Sequence, residues 1–281
     1  MTLGLVMDGK TSAENRPDRF PAGSLLIFDL DGTLYFGDHA APGGVELIDA
    51  ARAAGYVVRF LTNNSTRTRA QIYQRLVGLG FHCEENDVYA CSRATAQLLA
   101  DRGVTSAYCV GTPGLLAEMA AYGIEIEDNP DAATTFVAGL DPERASCADL
   151  PVPASSALFV ACNRDADYPG TGGALQPGCG ALVDTIERLA NRCADVVVGK
   201  PESYMLELVA LEAGIGAERT VVIGDSWASD VRAGLRFGAP VLLVGGDEGE
   251  ATSEGTPEDA VVRVMDLFEV ARLLEIDLHD V

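Results

Sequence analysis

The hydrophobic positions of the chain fall into short unbroken runs separated by amphipathic stretches. Leu25-Leu26-Ile27-Phe28 is one such run, ending at Asp29, and predicts a strand buried on both faces. Residues 43–54 place Val45, Ile48 and Ala51 on one face and stop at Gly55, which predicts a helix. Tyr56 to Leu61 predicts the next strand. Thr66 to Leu79, with Ile72, Leu76 and Leu79 in register and Gly80 behind, predicts a second helix. Strands alternating with helices make a parallel sheet covered by helices.

The alternation returns late in the chain. Glu202 to Ala213 predicts a helix ended by Gly214, and Thr220 to Ile223 a strand running into Gly224-Asp225. Asp230 to Phe237 predicts a short helix before Gly238, and Pro240 to Val244 a strand. The middle has strands of its own (Ala107–Val110, Thr135–Val137, Ala157–Val160) and a Gly/Pro-rich stretch from Tyr168 to Gly180. The expected organisation is a loose tail over 1–22, where periodicity is weak and Pro17 and Pro21 intervene. A doubly wound α/β core over 23–103 and 196–281 follows, with an α/β domain over 104–195 inserted into it. No internal repeat is visible.

Composition narrows the classes. Of 281 residues, 48% are hydrophobic and 22% charged, enough apolar material for packed cores, so global disorder is excluded. No apolar run reaches the roughly 18 residues of a membrane span. The first residues lack a basic region followed by an apolar stretch, so a secretory signal is not expected. The seven cysteines are scattered, odd in number and without a C-x-x-C pair. That argues against a zinc module or disulfide scaffold and suits a reducing cytoplasm. The formal net charge of −22 repels phosphate backbones and disfavours nucleic acid. It reads first as a solvated acidic surface and second as adaptation to a high-salt cell. Lys10 and Lys200 are the only lysines.

Three polar clusters stand at the C-terminal ends of three predicted strands: Asp29-Leu30-Asp31-Gly32-Thr33, Leu61-Thr62-Asn63-Asn64, and Gly224-Asp225 followed by Asp230. Ligands of open parallel sheets bind at that edge. Asp29 and Asp31, two residues apart, could face one crevice. Two carboxylates this close call for a cation, and Asp225 could complete an oxygen site for Mg2+. One carboxylate could then attack as a nucleophile while the other shuttles a proton. Gly32 would let backbone N–H groups approach an anion. Lys200, before a predicted helix, could neutralise phosphoryl charge. Thr62 could add a hydroxyl donor, and Asp230 could hold Lys200.

With these motifs in order, the sequence resembles the haloacid dehalogenase superfamily of aspartyl-phosphate phosphatases, and within it subclass IIA. Leu61-Thr62-Asn63-Asn64-Ser65-Thr66-Arg67 looks like the subclass's second motif and Val197-Val198-Gly199-Lys200-Pro201-Glu202 like its third. Ala161-Cys162-Asn163-x-Asp165 and Pro177-Gly178-x-Gly180 look like segments of its inserted cap, of type C2. The resemblance covers about residues 24–245. It implies a Mg2+-dependent phosphatase acting on a small phosphomonoester, a sugar phosphate or similar metabolite. Asp29 would be the nucleophile, Asp31 the general acid and then base, and Asp230 the residue orienting Lys200. Thr62 and Lys200 would bind phosphoryl oxygens with Asn63 alongside, and Gly32 and Asn64 would complete the substrate-binding set. Mg2+ would be held by the Asp29 side chain, the Asp31 backbone carbonyl and Asp225. A homodimer through the cap is a further expectation.

The chain also departs from the subclass. Ala228, after Trp227, stands where the subclass has an acidic residue, and the segment between Asp141 and Ala157 is short, so a cap helix should be shortened there. Other functions stay open at this point: a phosphotransferase or mutase, or a non-catalytic sensor of a phosphorylated metabolite, against which Asp31 argues. Gly4 to Thr11 matches a P-loop pattern but lacks the preceding strand, and Gly170-x-Gly172-Gly173 has no strand-to-helix context. His39, His82 and His279 show no metal spacing. Cys162 and Cys179 read as packing residues. Arg164 could meet a second anionic group of the substrate or simply be solvated.

Overall fold

The structure, a computed structural model, describes residues 20–144, 147, 150–169, 174–245 and 260–278. Most of the expected N-terminal tail, the P-loop-like segment, Gly170–Gly173 and His279 lie outside the described residues.

The chain opens with β1 (Leu25–Phe28) and a small hairpin of β2 (Tyr35–Phe36) and β3 (His39–Ala40). Then come α1 (Gly44–Ala53), β4 (Val57–Thr62), α2 (Arg69–Gly78), β5 (Val88–Ala90) and α3 (Cys91–Asp101). The middle holds β6 (Ser106–Val110), α4 (Pro113–Ala121), β7 (Glu125–Ile126), β8 (Thr135–Ala138) and β9 (Leu158–Ala161). It continues with the β10 (Asp167–Pro169) and β11 (Leu175–Pro177) hairpin, α5 (Cys179–Ala190) and β12 (Val196–Val197). The last part adds α6 (Tyr204–Ala213), β13 (Thr220–Gly224), α7 (Arg232–Phe237), β14 (Val241–Val244), β15 (Val261–Val264) and α8 (Leu267–Leu273).

Two parallel sheets result. The first has the order β15-β14-β13-β1-β4-β5 and the second β12-β9-β8-β6-β7. In the first, the chain runs outward from β1 through β4 to β5, then returns to the other side of β1 through β13. That reversal opens a crevice beyond the C-terminal end of β1, where this architecture binds ligands. One correction to the expected boundaries is needed. Val196 and Val197, assigned to the core, pair with Val160 and Ala161 in the second sheet, so the chain leaves that sheet only at Val198.

Alternation along each strand feeds two cores. Leu26, Phe28, Val58, Phe60 and Ile223 pack with Leu47, Ile48, Ile72 and Val270 on the face of α1, α2 and α8. Leu25, Ile27, Leu61 and Val222 pack on the opposite face with Leu98, Met205 and Ala233, and this cluster runs on into Phe136, Phe159 and Leu182 of the inserted domain.

Local chemistry moves two helix starts. The Asn64 side-chain oxygen accepts from the Thr66 and Arg67 N–H groups, which holds a turn there. Thr68 then caps α2 in a capping box with Gln71, so the helix starts at Arg69 rather than Thr66. Likewise Trp227–Val231 form a wide π turn, and α7 begins at Arg232 rather than Asp230. Among the described residues of 141–157 there is no helix, only turns and extended chain. Among the described residues, no helix is long and apolar enough to cross a membrane.

Candidate active site

Asp29 is the first residue beyond β1, and its N–H donates to the Ile223 carbonyl of β13. That bond extends the ladder by one step and sets the Asp29 carboxylate at the sheet edge, buried. Lys200 enters the same point from the chain returning out of the second sheet. Its ammonium donates to Asp29 Oδ1 at 2.5 Å and to Asp230 Oδ1 at 2.6 Å, with only 2% of the residue exposed. Burial alone would lower the lysine's pKa, but Asp230 and Asp29 outweigh it and hold the ammonium well above its ordinary value. Asp230 is fixed in turn by the Ser226 N–H, which donates to Oδ2 at 3.1 Å.

Asp225 follows β13 directly. Burial first, then the Asp230 charge, push its carboxyl up to about 6. Burial also pushes Asp29 up, against the pull of Lys200. The Thr33 hydroxyl lies 3.3 Å from Asp225 Oδ1 and 3.5 Å from Asp29 Oδ2, so it stands between the two acids. Carboxylate oxygens of Asp29, Asp225 and Asp230 come within 4.8 Å of one another. Three acids thus face a single ammonium. The charge imbalance and the all-oxygen donor set fit a hard divalent cation such as Mg2+. Asp230 has both oxygens engaged, which leaves Asp29 and Asp225 as the side chains to hold it. The Asp31 carboxylate is not in this cluster.

Asp31 is exposed, and its Oδ2 accepts from the Tyr35 hydroxyl at 2.7 Å. Burial, then the Asp31 charge, keep the Tyr35 phenol protonated far beyond its ordinary range, so it remains a donor. Gly32, directly after Asp31, adopts φ +92°, a region that glycine enters without strain.

The second-motif residues divide. Thr62 ends β4, buried, and its hydroxyl oxygen accepts from the Asn64 N–H at 3.1 Å, which leaves its hydrogen to donate. The Asn63 side chain is engaged with the chain that carries Lys200. Its amide pairs with the Lys200 backbone, accepting from N–H at 2.8 Å and donating to the carbonyl at 2.9 Å. Asn64 likewise shapes the turn before α2 with its side-chain oxygen.

With this geometry in place, comparison with known proteins is informative. The model of the Haloacid dehalogenase-like hydrolase family matches residues 26–125, and a second model of HAD-like hydrolases matches 197–269. Human chronophin is 32% identical over 238 residues, covering 78% of this chain and 79% of that protein. The chain belongs to the haloacid dehalogenase-like hydrolases. Human glycerol-3-phosphate phosphatase is also 32% identical, over 250 residues, with 78% and 77% covered. The solved p-nitrophenyl phosphatase from Archaeoglobus fulgidus superposes with a TM-score of 0.71 at 29% identity, covering 80% of this chain and 87% of that one. These relatives place the chain among the phosphomonoester hydrolases of subclass IIA, and the inserted domain takes the position of their cap.

Within this family frame the remaining candidates sort readily. Arg164 is held in the cap by Glu187 at 2.5 Å and Asp184 at 3.3 Å, so its guanidinium is already paired. Cys162 and Cys179 are buried in the apolar cluster. His39 is exposed on the hairpin, and His82 meets Asp49 at 2.9 Å. Trp227 and Ala228, the departures in the fourth motif, line a cleft of about 770 Å³ beside Asp225, with Phe36 and Phe268 on its walls. Thr33 and Tyr35 carry contacts the sequence reading did not assign. Their signal was present, since both lie within a few residues of Asp31 in the turn after β1.

Proposed function

We propose that the chain is a Mg2+-dependent phosphatase that hydrolyses a small phosphomonoester through a phosphorylated Asp29. The observation that carries this reading is the buried Lys200 ammonium, set between Asp29 and Asp230 at the end of β1. A buried ammonium beside a buried carboxylate suits attack by that carboxylate on an anionic centre, because the charge that repels the two is offset in place.

Asp29 attacks phosphorus, and the bond from phosphorus to the leaving oxygen breaks. Asp31 donates a proton to that oxygen. Its exposed position, steadied by Tyr35, suits a group that meets solvent and leaving group alike. Asp31 then takes a proton from water, which attacks phosphorus and releases phosphate from Asp29. Thr62 and Lys200 hold the phosphoryl oxygens. Mg2+, held by Asp29 and Asp225, would supply positive charge to these carboxylates and to the phosphoryl group. The cap excludes bulk water from the crevice.

The test is phosphate release from 4-nitrophenyl phosphate and from a metabolite panel that includes glycerol 3-phosphate, the compound named for one relative. It is run with and without Mg2+ on the native chain and on Asp29→Asn. Release that needs Mg2+ and disappears in the variant supports the reading. No release from the native chain on any substrate overturns it.

A further inference from the structure

Three stretches of chain meet behind the Lys200 ammonium: residues 62–64 of the core, 162–165 leaving the cap sheet, and 198–200 returning from it. Asn63 is the point where they join. Besides pairing with the Lys200 backbone, its Nδ2 donates to Asp165 Oδ1 at 2.9 Å. Both hydrogens of that amide are therefore used. Asn163 braces the same residue from the other side, since its Nδ2 donates to the Asn63 carbonyl at 2.7 Å. Its Oδ1 accepts from the Asp165 N–H at 3.1 Å, which orients Asp165. Gly199 completes the contact. Its N–H donates to the Cys162 carbonyl at 2.7 Å, and a Cβ there would lie 2.6 Å from Asn63 Oδ1 and 2.9 Å from Asn163 Cβ.

We propose that Asp165 is a positioning residue for Lys200, acting through Asn63. Asp165 Oδ1 accepts from the Asn63 amide and so fixes its plane, and that amide in turn fixes the peptide from which the Lys200 side chain projects. The bond to Asp165 is the third on this amide and ties its second hydrogen to the cap, so the amide is held from both chains. Displacement of a catalytic group by about 1 Å can cost on the order of a hundredfold in rate. The cap thus contributes to the phosphoryl site from behind, by holding its lysine, and Asp165 need not touch substrate. This inference rests on the phosphatase reading for its kinetic arm only.

The experiment uses the full chain with Asp165→Ala, Asp165→Asn, Asn63→Ala and the double variant Asn63→Ala/Asp165→Ala. Because the chain has only two lysines, 13Cε-lysine labelling gives two NMR signals, and Lys10→Arg assigns them. Asp165→Ala should lower kcat roughly tenfold with KM little changed and should move the Lys200 signal. Asp165→Asn, which keeps an accepting oxygen, should restore both. In the Asn63→Ala background, the loss of Asp165 should add nothing further. If Asp165→Ala does not fold, Asp165→Leu fills the same space without an acceptor. An unmoved Lys200 signal, or a full additional loss on top of Asn63→Ala, overturns the proposal. If the native chain releases no phosphate, the phosphatase reading falls, while the lysine signal still decides the positioning role.

Discussion

A Cβ placed on Gly32 would lie 2.3 Å from Asp225 Oδ2, well inside contact distance. Residues nearly two hundred positions apart are thus fitted to each other, and the fit binds the turn after β1 to the carboxylate after β13. Gly32 also has a left-handed φ, so a side chain is refused twice over. Gly32→Ala should cost about 1–3 kcal/mol in urea denaturation and should weaken Mg2+ binding by calorimetry, because Asp225 must move. Unchanged metal affinity would show that Asp225 is not a ligand.

Asp225 also predicts a pH dependence. Its carboxyl is raised from the 3.8 of an ordinary aspartate to about 6 by burial and by Asp230. The metal-free folded chain holds this proton more tightly than the unfolded chain. The contribution to stability is complete below 3.8 and is lost as pH rises through about 6. On the Mg2+ reading, the ion would bind the ionised form and offset that loss. Added Mg2+ should therefore raise Tm clearly at pH 7.5 and much less at pH 5. Equal shifts at the two pH values would count against this acid as the metal's partner.

Lys200→Met would remove the one ammonium from between Asp29 and Asp230. Breaking a buried ion pair from one side costs about 3–5 kcal/mol, and loss of a charge donor at a reacting centre costs roughly 10²–10³-fold in kcat. Urea denaturation and steady-state kinetics measure the two separately. A stability loss below about 1 kcal/mol would mean that the ammonium is hydrated rather than enclosed.

Tyr35→Phe keeps the ring and deletes the hydroxyl that donates to Asp31. A hydrogen bond to a charged group contributes about 1.5–3 kcal/mol. The expected result is a fall of roughly ten- to a hundredfold in kcat, with Mg2+ affinity unchanged, since Asp31's carboxylate lies outside the acidic cluster. A changed metal affinity with normal kcat would reverse the assignment.

The central strands are legible in the sequence because burial on both faces forces unbroken apolar runs, as in Leu25–Phe28 and Thr220–Ile223. Helix α3 is not legible for a related reason. It buries Ser92, Arg93 and Thr95 along with its alanines and leucines, so polar residues interrupt the apolar pattern of its buried face. In the site, Asp29, Lys200, Asp225 and Asp230 can be found from their places after strands and before a helix. The work of Asn63 cannot be found that way. It depends on peptide groups of Lys200 and a carboxylate of the cap, brought together only by the crossing chains. A residue's type and neighbours in sequence suggest a contact with substrate; the fold directs it to the backbone.

The apolar cluster that begins at Leu25 and Ile27 does not stop where the cap begins but continues through Phe136 and Phe159 to Leu182. The inserted domain is therefore a wall of the core's own interior as well as a cover for the crevice. Excised, it would carry part of a shared interior into water, and the remainder would expose the rest. Core and cap should therefore melt as one cooperative unit, and exchange of the cap for another should also require new residues on α3, against which α4 of the cap packs.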